Sequence, residues 1–498
     1  MSEIETAPSP YAPILFQSRL APHATAVVME SGEISYRTFC ADIEKVTRRL
    51  DEHALPADVV VSVDVRNQYL RWLAIIGLAR LGIVSVSPTE SAKGLPVASF
   101  SLCDHPGDSA GTNGPEIEIG TGWLRSQTDT RPLWRERRHD LRAPCRLVLS
   151  SGTTGVPKKA LLTYGQIWAR VRGNLGNYGL NPSTRFATLM GTGTIGGFMM
   201  PISCWATGGA VLLLPPQGPQ PGRDFLGLHP NVLMMSPQQL AGVVGNLPRD
   251  HWPREHVAIY VAGSSLPPAL SQATRLRLSE RLFVVYGSTE AGSVTMAHAS
   301  AVDDQPGTTG VVLPTAQVQI VDESGRPVAT GEAGEVRIRA EGMVDGYVEE
   351  SDMGSSPFRD GWFYPGDLGA LSGDGTLTIA GRVREVMNFG GTKFAPERIE
   401  QALASTPGIV EMAAFAIRGP GGYAQPCLAV VRGAGFDEKV LRQNFSTAFR
   451  RLPPLTVLQI DALPRNEMGK ILRTELADKA LRALQQHRAA TGAPVDLQ

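Results

Sequence analysis

Apolar positions along the chain fall into two alternating periods. Residues 59–65 form a β-branched run with little alternation, residues 68–81 repeat their apolar side chains at helical spacing, and residues 83–86 are again strand-like. That order predicts a β-α-β unit, and with it a parallel sheet covered by helices. The short run Leu147-Val148-Leu149 predicts another buried strand. From Pro314 the period shortens: residues 317–321, 335–339 and 376–379 read as short strands separated by turn residues, which predicts a small β-barrel or β-rich layer. After Gly381 the pattern is mixed, with a helix following Pro396, strands near 413–417 and 427–431, and a last helix over 471–486. The polar Gly/Ser/Pro stretch 104–116 predicts a surface loop, and 488–498 a frayed end.

Composition narrows the classes. A chain of 498 residues exceeds one ordinary core, so two or more domains are expected. With 47 basic against 48 acidic residues, and a formal charge of -1, there is no broad electrostatic footprint for nucleic acid. The local group Arg135-Glu136-Arg137-Arg138 reads as a solvated face. Cys40, Cys103, Cys145, Cys204 and Cys427 are scattered without a CxxC pair, which fits neither a disulfide framework nor a zinc site and points to a reducing cytoplasm. The first ten residues lack the basic and apolar regions of an export signal, and Arg71 and Arg80 interrupt the most apolar helical stretch. No export and no membrane span are expected.

Chemistry enters directly after the 147–149 run, where Ser150, Ser151, Gly152, Thr153, Thr154 and Gly155 supply flexible backbone, hydroxyls and amide donors before Lys158 adds a charge. That is the make-up of a phosphate cradle, although Val156-Pro157-Lys158 departs from P-loop spacing. In "VVYGSTEAG" (284–292), Tyr286 offers a flat face to a purine, Thr289 a hydroxyl to phosphate, and Glu290 a hard oxygen to Mg2+. In "GWFYPGDLGAL" (361–371), Asp367 follows a Pro-Gly turn, and a carboxylate so fixed can accept two ribose hydroxyl protons. Taken singly, these stretches read equally well as a Ser/Thr/Gly-rich surface turn, a β-turn with a surface glutamate and an Asx-type turn. Lys470 in "PRNEMGK" reads alone as an ordinary solvated lysine.

Together, and in this order with "GRVREVMNFGGTKFAPERIE" (381–400) and "PRNEMGKILRTEL" (464–476), these stretches resemble the core motifs of the adenylate-forming superfamily. That superfamily contains acyl-CoA and aryl-CoA synthetases, non-ribosomal peptide adenylation domains and firefly luciferase. The resemblance covers residues 25–476. It implies an α/β fold: a large N-terminal domain (1–381) of two α/β subdomains plus a small β-barrel, a hinge (382–386), and a small mobile C-terminal α+β domain (387–498).

The resemblance also implies roles. The 150–158 loop clasps the β- and γ-phosphates of ATP, Tyr286 stacks on adenine, and Gly263, Ser264, Ser265, Gly287 and Ser288 line the nucleotide. Thr289 touches the α-phosphate, Glu290 holds Mg2+, Asp367 takes the ribose, and Arg382 contacts the ribose-phosphate region. Arg384 is the hinge residue, where aspartate or lysine is usual, and Pro365 stands where the family usually has threonine. Gly390 and Gly391 line a tunnel for the pantetheine arm of CoA, and Lys470 bridges the acyl carboxylate and the α-phosphate. The substrate-side stretch 187–210 departs from the family: the aromatic-rich, histidine-bearing segment is replaced by Met190, Gly191, Thr192, Gly193 and Thr194. Small residues there imply free volume, and no aspartate is present to hold an α-ammonium group. Gly193, Thr194 and Phe198, with Met199, Met200, Met234 and Met235, are expected to line an apolar acyl pocket. The implied reaction is ATP-dependent activation of an aryl, alicyclic or medium-chain carboxylic acid to an acyl-adenylate, followed by transfer to CoA. Transfer to an amine or to a carrier-protein thiol is the alternative.

Overall fold

The computed structural model describes residues 5–88, 98–106, 114–125, 138–150, 158–214, 225–248, 253, 255–305, 307–348, 356–389, 392–418, 424–450, 452–465 and 469–491. The chain divides into two compact units: residues 1–303 with 310–317 and 338–363, and residues 304–309 with 318–337 and 364–498.

The first unit contains the β-α-β element that the periodicity predicts. Strands Val60–Asp64 and Val84–Val86 pair in parallel, joined by helix Gln68–Leu81. The Asn67 side chain accepts from the Leu70 amide to start the helix, and Gly82, at φ 82°, ends it in the left-handed conformation that glycine adopts without penalty. The sheet runs, in spatial order, 158–163, 144–150, 84–86, 60–64, 100–103, 116–118, and only its first pairing is antiparallel. Leu147-Val148-Leu149 lies inside strand Pro144–Ser150, as expected. The 104–116 stretch carries an anchor that composition hid: the Asp104 carboxylate accepts from the amides of Arg66 and Asn67.

A second sheet in the same unit has six parallel strands in the order 25–29, 210–212, 185–188, 232–235, 258–262, 282–288. Leu233, Met235, Ile259, Val261 and Leu282 are fully buried in one cluster. Continuous apolar strands of this kind are what a parallel sheet covered on both faces requires.

In the second unit, strands Asp367–Leu371 and Thr376–Arg382 form an antiparallel hairpin that also pairs with residues 333–335. The same unit holds a three-stranded sheet in which Ala424–Arg432 pairs antiparallel with Ile409–Arg418 and parallel with Thr456–Gln459. Its alternation is clean. Ala414, Leu428 and Val430 pack on Ile399, Leu403, Leu441 and Phe445, while Ala413, Phe415, Cys427 and Ala429 pack on Leu463, Leu476 and Ala480. Side chains of period two feed two separate helical layers. This unit also takes in residues 364–381, which the expected boundary assigns to the large domain.

All five cysteines are buried and free. Among the described residues no helix is long and apolar enough to cross a membrane. Of the 135–138 group only Arg138 is described, exposed and bonded to Thr6.

Candidate functional site

In the first unit the motif around Glu290 is a β-hairpin. Strand Leu282–Ser288 turns into the antiparallel strand Gly292–His298, and the ladder shifts register between Tyr286 and Gly287. A Cβ at Gly287 would lie 2.2 Å from the Gly292 carbonyl oxygen, so no other residue fits there. The need at this position is close backbone approach. The Ser288 hydroxyl accepts from the Ala291 amide at 3.1 Å and closes the turn.

Two residues absent from the sequence reading hold this turn. Arg170, on helix Tyr164–Asn177, donates to the carbonyls of Thr289 (3.0 Å), Glu290 (2.7 Å) and Gly342 (2.8 Å). Burial draws its guanidinium down to about 10, with Glu290 acting in the opposite direction. The Val344 amide also donates to the Glu290 carbonyl. Glu290 itself is 5% exposed, and its Oε1 accepts the Tyr347 hydroxyl at 2.6 Å. The Lys158 Nζ sits 4.4 Å from the centre of the Tyr347 ring. Residues 342–348 are stitched in by further bonds: Gln166 donates to Met343 and Asp345, the Val348 amide donates to Lys159, and Ala160 bridges Tyr347. No spacing rule in the sequence links position 170 or 347 to position 290, so neither residue could have been found without the fold.

Among the described residues no group of three or more His, Cys, Asp and Glu side chains could cage a metal ion. A single near-buried carboxylate fits Mg2+, which binds through one or two carboxylates plus the phosphate oxygens of its substrate. Glu290 is a near-buried carboxylate of this kind.

Gly263, Ser264 and Ser265 follow strand Ala258–Ala262 directly, and Ala262 pairs with Val285, one residue before Tyr286. Both segments therefore emerge at the carboxyl ends of neighbouring parallel strands, the edge where open α/β sheets bind ligands. Gly263 has φ 102°, and both Gly263 and Ser265 are exposed. Ser151, Gly152, Thr153, Thr154 and Gly155 lie outside the described residues, as do Gly390 and Gly391. The residues flanking each stretch pair directly, Ser150 with Lys158 and Phe389 with Thr392.

Thr194 caps helix Ile195–Ala206: its hydroxyl accepts from the Gly197 amide and donates to the Gly191 carbonyl. A Cβ at Gly197 would meet the Gly191 carbonyl oxygen at 2.2 Å, so that glycine answers to backbone packing rather than to free volume. Gly193 is buried. Phe198 is 1% exposed and stacks on Trp72 at 6.2 Å, while Met199, Met200, Met234 and Met235 are core residues as well. Phe198 also lines a small pocket together with Ile75, Ile76, Ala79, Arg146 and Ile202. Arg146, fully buried, donates to Ser85, Ser87 and the Thr192 carbonyl and so fixes the 190–194 segment from within.

The second unit draws together Asp367, Arg382 and Lys470. Asp367 and Arg382 sit opposite each other across the hairpin, Arg382 Nε lies 2.8 Å from Asp367 Oδ1, and Arg382 Nη1 donates to the Pro365 carbonyl. Asp367 is 3% exposed, and Gly366 at φ 76° makes the turn before it. Lys470 is drawn down to about 8 by burial first and by the positive charge of Arg382 second, while Glu385 and Asp367 pull the other way. Its segment is anchored on both sides. Arg465 donates to the Gly469 carbonyl and pairs with Glu411, and Arg473 pairs with Glu385 and Glu400 at 2.8 Å each. Helix Arg473–Thr491 begins three residues after Lys470. Arg384 is exposed in the short 3-10 turn Val383–Glu385.

Residues 113–348 match the model of a family described as AMP-binding enzyme. A 2-succinylbenzoate–CoA ligase from Geobacillus kaustophilus is 27% identical over 344 residues, 68% of this chain and 69% of that protein. Among solved structures, ATP-bound MatB from Rhodopseudomonas palustris aligns with a TM-score of 0.80 at 21% identity, covering 94% of this chain and 98% of that one. The amide bond synthetase McbA from Marinactinospora thermotolerans aligns with a TM-score of 0.78 at 19% identity, covering 94% and 99%. At such identities the two structures speak to the fold.

Proposed function

Because residues 113–348 match the AMP-binding enzyme family model, we propose that the chain activates an aryl, alicyclic or medium-chain carboxylic acid with ATP and Mg2+ and passes the acyl group to the thiol of CoA. The acid carboxylate attacks the α-phosphorus, the bond to the β,γ-phosphates breaks, and pyrophosphate leaves. The thiol then attacks the carbonyl of the acyl-adenylate, a thioester forms, and AMP and a proton leave. A free carboxylate would have to expel an oxide, and AMP is the leaving group that removes this difficulty.

The observation that carries the reading is the convergence of Asp367, Arg382 and Lys470 in one unit, from three separate stretches of sequence. Asp367 would accept the ribose hydroxyl protons, Arg382 would hold that carboxylate and the adjoining phosphate region, and the Lys470 ammonium would offset the negative charge that develops on the phosphate oxygens. In the first unit Tyr286 would take the adenine face, Gly263, Ser264 and Ser265 its edge, Thr289 the α-phosphate, Glu290 the metal, and Lys158 with the 150–155 loop the departing phosphates. Mg2+, when bound, would neutralise phosphate charge. A rotation of residues 387–498 about Arg384 would withdraw Lys470 and present Gly390 and Gly391 to the pantetheine arm. Aryl acids are favoured because the ligase from Geobacillus kaustophilus acts, by its name, on an aryl acid. The buried, free cysteines suit a reducing cytoplasm.

The second reading, acyl transfer to an amine or a carrier-protein thiol, draws support from the amide bond synthetase that shares the fold. ATP–pyrophosphate exchange across a panel of carboxylic acids tests the activation step. Exchange with at least one aryl acid is expected; folded, ATP-binding protein without exchange for any acid overturns the reading. Mass spectrometry of the productive reaction separates the acceptors: acyl-CoA supports the first, whereas acyl-AMP that is consumed only by an added amine or carrier protein supports the second.

A further inference from the structure

Lys158 and Glu290 lie on different elements of the first unit, and one tyrosine touches both. The Tyr347 ring carries the Lys158 ammonium on its face at 4.4 Å, and its hydroxyl donates to Glu290 Oε1 at 2.6 Å. The ring is itself fixed, packed edge-on against Phe358 at 5.4 Å and held by the backbone bridge to Ala160. Among the described residues Lys158 and Glu290 form no ion pair with each other. The two contacts reinforce one another, because a cation on the ring face withdraws electron density and makes the phenol a better donor.

An ammonium and a carboxylate brought near each other in a partly buried place would ordinarily pair directly. Such a pair would have to break before the lysine could meet a phosphate or the glutamate a metal ion. We infer that Tyr347 is a positioning residue that keeps Lys158 and Glu290 apart, giving each an uncharged, reversible partner so that both stand ready for nucleotide phosphate and Mg2+. The inference rests on the roles proposed above for Lys158 and Glu290.

Titration calorimetry of the full chain with a non-hydrolysable α,β-methylene ATP analogue, with and without Mg2+, tests it on Tyr347→Phe and Tyr347→Leu, each checked for folding by thermal melting. Tyr347→Phe keeps the ring and loses the hydroxyl. It should weaken the Mg2+ dependence of binding by roughly 10–100-fold, the usual cost of removing the partner that orients a metal ligand, and leave metal-free binding within about twofold. Tyr347→Leu should show the same loss and, in addition, bind metal-free nucleotide roughly threefold more weakly as Lys158 pairs with Glu290. Adding Glu290→Gln to Tyr347→Leu should restore that metal-free binding, which a merely structural role for the ring would not do. Wild-type Mg2+ dependence in both single variants, or no recovery in the double variant, overturns the inference. If Glu290→Gln alone leaves the Mg2+ dependence unchanged, the assignment of Glu290 to the metal fails and the inference falls with it, a result distinct from failure at Tyr347 alone.

Discussion

The turn that carries Glu290 and the segment that carries Lys470 are both fixed by arginines, in opposite ways. Arg170 holds the Glu290 turn through three neutral main-chain carbonyls. Arg473, beside Lys470, is surrounded by carboxylates: Glu385 and Glu400 at 2.8 Å and Glu397 at 3.5 Å. Those acids push the Arg473 guanidinium above its usual range against the effect of burial, whereas Arg170 is drawn down. The difference teaches how each charge is kept. The Glu290 turn is held through its backbone by bonds to neutral carbonyls, which moderate pH does not titrate. The Lys470 segment is fastened by ion pairs, and Lys470 itself is drawn down to about 8.

The largest expected effect breaks the comparison on the Lys470 side. Lys470→Ala should slow acyl-adenylate formation by ~10²–10³, the cost of one preorganised charge donor, while thiolysis of a supplied acyl-adenylate continues nearly unchanged. Rapid-quench measurement of the two half-reactions checks this, and equal losses in both would remove the distinction between a fixed and a withdrawn charge.

Next in size is the lock on the other side. Arg170→Met leaves the carbonyls of Thr289 and Gly342 without their buried donor and should lower stability by about 3 kcal/mol. Denaturant titration reads the stability, and the ATP–pyrophosphate exchange rate should fall with it because the Thr289-Glu290 turn loosens. A variant of wild-type stability with full exchange would show that the turn holds itself.

The smallest effect sharpens the comparison by pH. Lys470 is charged below about 8 and neutral above it, since its value is drawn down from the ordinary lysine range. The charged form is the useful one, so kcat/KM for exchange should fall as pH rises through about 8, up to about tenfold per pH unit beyond it. Lys470→Arg, which stays charged, should move that limb to higher pH. A limb that stays in place in the arginine variant would assign it to another group.

The periodicity of residues 68–81 located helix Gln68–Leu81 to the residue, because Asn67 and Gly82 mark its ends with side-chain and backbone chemistry that is local. The 376–379 run, by contrast, extends to Arg382, since pairing with Asp367 continues the strand past the apolar positions that signal it. The methionines at 199, 200, 234 and 235 and Phe198 are buried, and their apolar signature in the sequence is the same whether such a residue faces a ligand or only the core.

What the sequence determined by itself was the order of short windows. Each window of hydroxyl, glycine, carboxylate or lysine residues reads alone as a turn or a solvated side chain, and only their succession along the chain carries the resemblance, because turn geometry and side-chain donor type are set by near neighbours. What only the tertiary structure decided was which groups act on one another. Arg170 reaches Glu290, Tyr347 stands between Lys158 and Glu290, and Arg382 and Lys470 lie about Asp367. Such contacts join residues far apart in the chain, and their strengths depend on burial and on the charges that the fold gathers, quantities that no window of sequence contains.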